Sequence, residues 1–135
     1  MITVSCTVNK GLYSVAILDK GVLVSNVTNR VKESKGYDTW FEALSNAVRM
    51  LRSYIESHDT DCQVLFELGN SVVAKWLNKG MSNSNYITKT AELFNLIDSI
   101  PIQYEFRGTN TPFSKDYCKE KYLVKPKLSG LDDMV

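Results

Sequence analysis

Cys6, Cys62, Cys118 and His58 are the side chains of this sequence with the widest chemical range, and their numbers limit what they can do. Three cysteines cannot all pair, and their spacing matches no metal-binding pattern. A single histidine disfavours both a Cys/His zinc site and a Ser-His-Asp triad. Reduced thiols in a cytoplasmic protein are therefore expected. Other residues suggest binding rather than bond making. Lys75, Trp76 and Lys79 set an aromatic ring among cations, an arrangement that can stack on or brace a nucleic-acid strand. Trp76 also continues the apolar run of Val72 and Val73, which would make it core. Lys115, Lys119, Lys121, Lys125 and Lys127 are the densest basic stretch and could contact phosphates. Asp116 and Glu120 dilute that stretch, as on a solvated face. Arg49 and Arg52 read as solubilising charges.

The elements that must position these residues are legible from periodicity. Ile2 to Val8 alternates as a strand, with Ile2, Val4 and Cys6 on one side and Thr3, Ser5 and Thr7 on the other. A turn at Asn9-Lys10-Gly11, a run from Leu12 to Leu18, a tight turn at Asp19-Lys20-Gly21 and a run from Val22 to Val27 complete an antiparallel meander. Asn29 to Gly36 reads as a polar loop. Thr39 to Glu56 predicts a helix, with Phe41, Leu44, Val48, Leu51 and Ile55 at three- and four-residue spacing and Thr39/Glu42 as a capping box. His58 to Asp61 is a turn, and Gln63 to Leu68 is a compact apolar strand. Gly69-Asn70-Ser71 leads into a short helix closing near Lys79-Gly80, and Met81 to Asn85 is a polar linker. Ile87, Ala91, Phe94, Ile97 and Ile100 mark a second amphipathic helix stopped by Pro101. Ile102 to Phe106 is a last strand. Thr111-Pro112 starts a terminal helix through about Leu123.

Composition sets outer bounds. At 135 residues, 44% apolar and 23% charged, the chain suits one soluble domain over residues 1–124, with a short mobile tail over 125–135. A net charge of +1 provides no global field for nucleic acid or membrane, so binding would need a local patch. Met1 runs directly into a strand, so no signal peptide is expected. No apolar run is long enough to span a bilayer. The tail Leu128-Ser129-Gly130-Leu131-Asp132-Asp133-Met134-Val135 resembles a linear docking peptide for a protein partner. A frayed terminus is the simpler reading of it.

The order of these elements is similar to the ribonuclease H-like superfamily over nearly the whole chain. That implies an α/β fold with a mixed five-stranded sheet, a three-stranded antiparallel meander followed by two further strands, flanked by helices. Trp40-Phe41-Glu42-Ala43-Leu44-Ser45-Asn46-Ala47 resembles the start of the family's first helix, where a glutamate ligates metal. Val64-Leu65-Phe66-Glu67-Leu68-Gly69-Asn70-Ser71, then Lys75-Trp76-Leu77-Asn78, resembles the strand-to-helix junction that carries an aspartate. Tyr104-Glu105-Phe106-Arg107-Gly108 and then Asp116 resemble the last strand and the helix bearing the final aspartate.

The resemblance implies clustered carboxylates holding two divalent ions about 4 Å apart, with magnesium or manganese as the cofactor of an active nuclease. Only Glu42 and Asp116 match that pattern. Ser5 or Cys6 stands near the first-strand aspartate, and Gly69 or Asn70 near the fourth-strand one. Glu42 also fits a capping box, and Asp116 the first turns of a helix. The Holliday-junction resolvase branch is a second resemblance. It places a glutamate on the fourth strand, where Glu67 stands, and its first hairpin is loosely similar to Thr7-Val8-Asn9-Lys10-Gly11-Leu12-Tyr13. Glu67 otherwise reads as a polar residue paired with Lys or Arg.

These resemblances imply a catalytically degenerate domain that binds nucleic acid or a nucleic-acid-processing partner, needing no cofactor. Lys75, Trp76, Lys79, Arg107, Lys115 and Lys119 are its candidate nucleic-acid contacts. One alternative is a divergent nuclease using Glu42, Glu67 and Asp116 around one metal. The other is a protein-interaction module such as an inhibitor or adaptor.

Overall fold

The computed structural model describes residues 1–33, 35–58, 63–80 and 84–123. Cys62, Lys125, Lys127, the acidic-apolar tail and part of the linker after Gly80 lie outside the described residues. Strands β1 (Ile2–Asn9), β2 (Leu12–Asp19) and β3 (Val22–Arg30) form the opening meander. Both hairpins turn through a Lys-Gly pair with positive φ, at Lys10-Gly11 (50° and 82°) and Lys20-Gly21 (52° and 81°). Two successive left-handed residues make the turn whose twist suits paired strands. Helix α1 (Asp38–Ser57) then crosses to β4 (Gln63–Leu68), which is followed by α2 (Ser71–Asn78), α3 (Ile87–Asp98) and β5 (Gln103–Gly108). The strand order is β3-β2-β1-β4-β5. β4 runs parallel to both β1 and β5, and the meander is antiparallel.

Register sorts the side chains onto two faces. Val4, Phe66 and Phe106 are aligned across β1, β4 and β5, and they face the helices. There they join Phe41, Leu44, Val48 and Leu51 of α1, Val73 and Leu77 of α2, and Leu93 and Ile97 of α3 in one core. Phe66 has no exposed surface and stacks on Phe106 with ring centroids 5.0 Å apart. The opposite face aligns Ser5 with Ala16 of β2 and Glu67 of β4, and Thr7 with Ser14.

Several expectations change. α1 begins at Asp38 with Tyr37 at its cap position and no side-chain capping bond, so Thr39 and Glu42 form no capping box. Thr39 is instead buried within the helix. The third strand runs to Arg30, taking the start of the expected loop, because Thr28 and Asn29 keep pairing with Ser14 and Tyr13. In α3 the buried residues are Thr90, Leu93 and Ile97, with Ile87 exposed, since Ile87 opens the helix beyond the reach of the core.

The expected terminal helix is two 3-10 turns, Phe113–Tyr117 and Glu120–Tyr122, and Leu123 forms an isolated parallel bridge with Thr28. Pro112 precedes the first turn in extended conformation, and no side chain caps it. The sheet face beneath is mixed, with the hydroxyls of Ser5, Thr7, Ser14 and Thr28 set among the buried side chains of Leu12 and Ala16. The small residues Ser114 and Cys118 turn inward, while Phe113 and Tyr122 stay exposed.

Candidate functional site

A cleft of about 520 Å³ opens at the carboxyl ends of β1 and β4, lined chiefly by Thr7, Asn9, Gly69, Asn110, Lys115 and Lys119. Beyond the ends of parallel strands, backbone is free of the ladder and loops can converge, so ligand sites gather there. Lys115 and Lys119 enter from the first 3-10 turn and the segment after it, with Asp116 between them. Lys115 Nζ donates to Asn110 O at 3.4 Å. Both lysines are exposed, so the cleft wall carries two cations against one carboxylate.

A buried set of hydroxyls supports the wall. Ser5 Oγ, fully buried at the middle of β1, donates to Ser114 Oγ at 3.0 Å and accepts the Ser114 backbone N–H at 2.9 Å. Thr7 Oγ1 lies 2.6 Å from the same Ser114 hydroxyl. Thr28 Oγ1 donates to Tyr117 O at 2.6 Å. Cys118 Sγ sits 3.7 Å from the carbonyls of Thr7 and Leu12, and burial pushes its thiol pKa up. The terminal segment is thus fastened across β1, β2 and β3 chiefly by neutral groups, with an ion pair between Arg30 of β3 and Glu120 beside them. The first-strand position resolves the same way: Ser5 faces this hydroxyl set, whereas Cys6 faces the helical core, where burial raises its pKa to about 12.

Across the junction after β4, Gly69 N–H donates to Cys6 O at 3.0 Å. Asn70 caps α2: its Oδ1 accepts the N–H groups of Val72 at 2.9 Å and Val73 at 3.1 Å. A Cβ on Gly108 would fall 2.5 Å from Ser71 Cα, so the end of β5 can meet the start of α2 only with glycine there. Asn78, at the last turn of α2, reaches back to β5. Its Nδ2 donates to Phe106 O at 2.7 Å, and its Oδ1 accepts Phe106 N–H at 3.0 Å. Sequence reasoning missed Asn70 as a cap, though an asparagine just before the Ser-Val-Val start of α2 was a readable signal. It also missed Ser114 and Asn78, whose partners are distant in sequence and carry no local pattern.

The candidate carboxylates sit on three different elements. Glu42 is exposed on α1, which packs on the apolar face of the sheet. Glu67 lies on the opposite face, where its Oε1 accepts Phe113 N–H at 3.1 Å. Its partner is therefore backbone, not the expected Lys or Arg. Asp116 is exposed beside the cleft. Among the described residues no three Asp, Glu, His or Cys side chains come together in a group that could hold a metal ion. Two-metal hydrolysis needs converging acids. Glu42 and Asp116, expected to hold metal only in an active nuclease, and Glu67, the added acid of the one-metal alternative, form no such group, a poor fit to magnesium or manganese.

The candidate cations divide as well. Lys115 and Lys119 share the cleft. Lys75 and Trp76 sit on α2 and Lys79 at its C-cap, and Trp76 is half-buried, meeting the Tyr37 ring edge-on at 4.7 Å. Its ring thus braces the start of α1. Arg107 pairs with Glu105 on the same strand at 3.1 Å. His58 stacks on Tyr54 at the end of α1, and its ring nitrogen Nδ1 lies 3.0 Å from Tyr54 O.

No protein-family model matches the chain, and no curated protein sequence matches it significantly. Solved structures do match. A ribonuclease H1 isolated from compost, solved in complex with an RNA/DNA hybrid, superposes with a TM-score of 0.68 at 14% identity, over 90% of this chain and 94% of that one. Ribonuclease H1 from Halobacterium salinarum gives 0.65 at 9% identity, over 90% and 91%. The N-terminal ribonuclease H domain of a Mycobacterium tuberculosis protein gives 0.65 at 7% identity, over 90% and 92%. The chain has the ribonuclease H-like fold. No helix among the described residues is long and apolar enough to cross a membrane.

Proposed function

We propose that this protein is a catalytically degenerate ribonuclease H-like domain that binds nucleic acid at the cleft formed by β1, β4 and the terminal segment. One observation carries the reading. On the site face of the sheet, β1 offers Ser5 and Thr7 closed onto Ser114, and the adjoining cleft offers Lys115 and Lys119 rather than gathered acids. Lysines with amide and hydroxyl neighbours suit phosphate oxygens, which need donors and positive charge. The fold supports a role near nucleic acid, and one similar protein was solved with an RNA/DNA hybrid. A cytoplasmic setting belongs to the same reading, supported by the buried free thiols of Cys6 and Cys118.

Fluorescence anisotropy with a labelled RNA/DNA hybrid, single-stranded DNA and single-stranded RNA across a salt series tests it. Binding should weaken linearly in log salt. Replacing both cleft lysines, Lys115→Ala/Lys119→Ala, should weaken it for all sequences and lower the salt slope by about two, one per phosphate contact. A larger loss from Lys75→Ala/Lys79→Ala would move the site to α2. No binding to any of the three would turn the search to protein partners.

A further inference from the structure

Exposed aromatic rings gather at one place on the surface. Among the described residues, two of the large apolar side chains that stand in solvent are aromatic, Phe113 and Tyr122, each 41% exposed, and both lie on the terminal segment. Half-buried Tyr117 links them into a row. Its ring stacks on Phe113 with centroids 5.8 Å apart, and lies 5.2 Å from Tyr122 at a tilt of 58°. The row borders a second cavity of about 590 Å³, lined by Pro112, Phe113, Tyr117 and Tyr122 together with Lys115 and Asp116. Pro112, Lys115 and Asp116 also line the cleft, so the two cavities adjoin. Hydrogen bonds fix the backbone that carries the rings. Phe113 N–H donates to Glu67 Oε1 at 3.1 Å, and Tyr117 O accepts Thr28 Oγ1 at 2.6 Å. Leu123, next to Tyr122, is bridged to Thr28. The local charge favours an anion. Glu120 is offset by Arg30 of β3, and Asp116 stands against Lys115, Lys119 and Lys121. Lys121 Nζ lies 4.9 Å from the Tyr122 ring centroid, which sets a cation at that end of the row.

We infer, on the reading that the cleft takes nucleic acid, that the strand it takes is single, with phosphates along Lys115 and Lys119 and unpaired bases stacked on Phe113 and Tyr122. Within a duplex or hybrid each base is covered by its neighbours. An unpaired base has a free face to offer an aromatic ring. Cations that track a backbone, beside rings that take its bases, are the combination that holds single strands. Rings alone would suit an apolar peptide as well. Here Lys115 belongs to both cavities, so one strand meets both kinds of group. Stacking is tolerant of base identity, so this surface reads strandedness rather than sequence. The anchored backbone presents the rings already in place, which lowers the ordering cost of binding.

Fluorescence anisotropy on the full chain over a salt series tests this, with a labelled single-stranded DNA, the same strand carrying abasic sites, and an RNA/DNA hybrid. The wild type should bind the intact single strand about tenfold or more tighter than the abasic one, with the same salt slope for both because the phosphates are unchanged. It should also bind the single strand more tightly than the hybrid. Phe113→Ala/Tyr122→Ala should weaken single-strand binding by about tenfold or more and leave the salt slope in place, whereas Lys115→Ala/Lys119→Ala lowers the slope. Phe113→Tyr/Tyr122→Phe keeps both rings and should retain the affinity. The abasic comparison needs no variant, so misfolding cannot imitate its result. A hybrid bound more tightly than the single strand would overturn the inference. So would salt-dependent binding that ignores both the rings and the bases, which would keep the cleft as a phosphate site and leave the row to a protein partner. No binding to any probe would remove the cleft as a nucleic-acid site, and the inference with it.

Discussion

The two faces of the sheet are made from the same five strands and carry opposite kinds of bond. The helical face is hydrocarbon: Val4, Phe66 and Phe106 in register under α1, α2 and α3. The other face holds Ser5, Thr7, Ser14 and Thr28 beneath a terminal segment fastened by Ser114 and Tyr117. Burial on the first face is non-directional and tolerant of sequence change. Bonding on the second depends on each hydroxyl finding its partner. The first face therefore holds the fold at 7–14% identity to its structural neighbours, and the second is where this chain sets its own chemistry.

The contrast can be broken from the helical side first. Phe66→Ala removes a fully buried ring from the centre of that core and should cost about 3–5 kcal/mol, measured by urea unfolding. The whole chain should respond, because all three helices pack on the same cluster. Gly108→Ala ranks next. Its new methyl would meet Ser71 backbone at 2.5 Å, so α2 must shift, at about 1–3 kcal/mol. Ser114→Ala should cost less, about 1–2 kcal/mol, and its signature should be local. The Cys118 thiol should become accessible to alkylation while α1 keeps its exchange protection. A global loss equal to that of Phe66→Ala would mean that the two faces are not separate in this way.

The smallest effect lies in pH. Burial raises the thiol of Cys6 from its ordinary value of 9.0 to about 12. Its folded form holds the proton more tightly than the unfolded chain does. That contribution is fully present below pH 9 and is lost as pH rises through about 12. Cys118 and Tyr104, raised chiefly by burial, and Tyr54, raised chiefly by its hydrogen bond to Asp19, act in the same direction. Thermal midpoints should fall on the alkaline side, and Cys6→Ala should flatten that fall relative to its own midpoint at pH 7.

What the sequence revealed divides along the same line. The meander, α1 and the order of elements were legible because apolar spacing records which side of a strand or helix meets hydrocarbon. Phe41, Leu44, Val48 and Leu51 were read as one stripe and are buried as one. The hydroxyl face left no such record. Ser5 and Ser114 are 109 residues apart, and nothing at either end announces the other. For that reason Thr111-Pro112 read as the start of a helix, although the segment beyond it bends to meet Ser5 and Thr28. Glu42 and Asp116 illustrate the same limit. Their types and order resembled a family's ligands, but only the fold could show that they do not gather with a third acid.

The central claim is that this ribonuclease H-like fold binds nucleic acid through neutral donors and lysines without cutting it. An RNA/DNA hybrid incubated with the protein and magnesium or manganese, followed on a denaturing gel, tests this directly, with Glu42→Gln/Asp116→Asn as the control. The account predicts intact hybrid, with wild type and variant alike. Metal-dependent cleavage that disappears in the variant would contradict it and return Glu42 and Asp116 to a catalytic role.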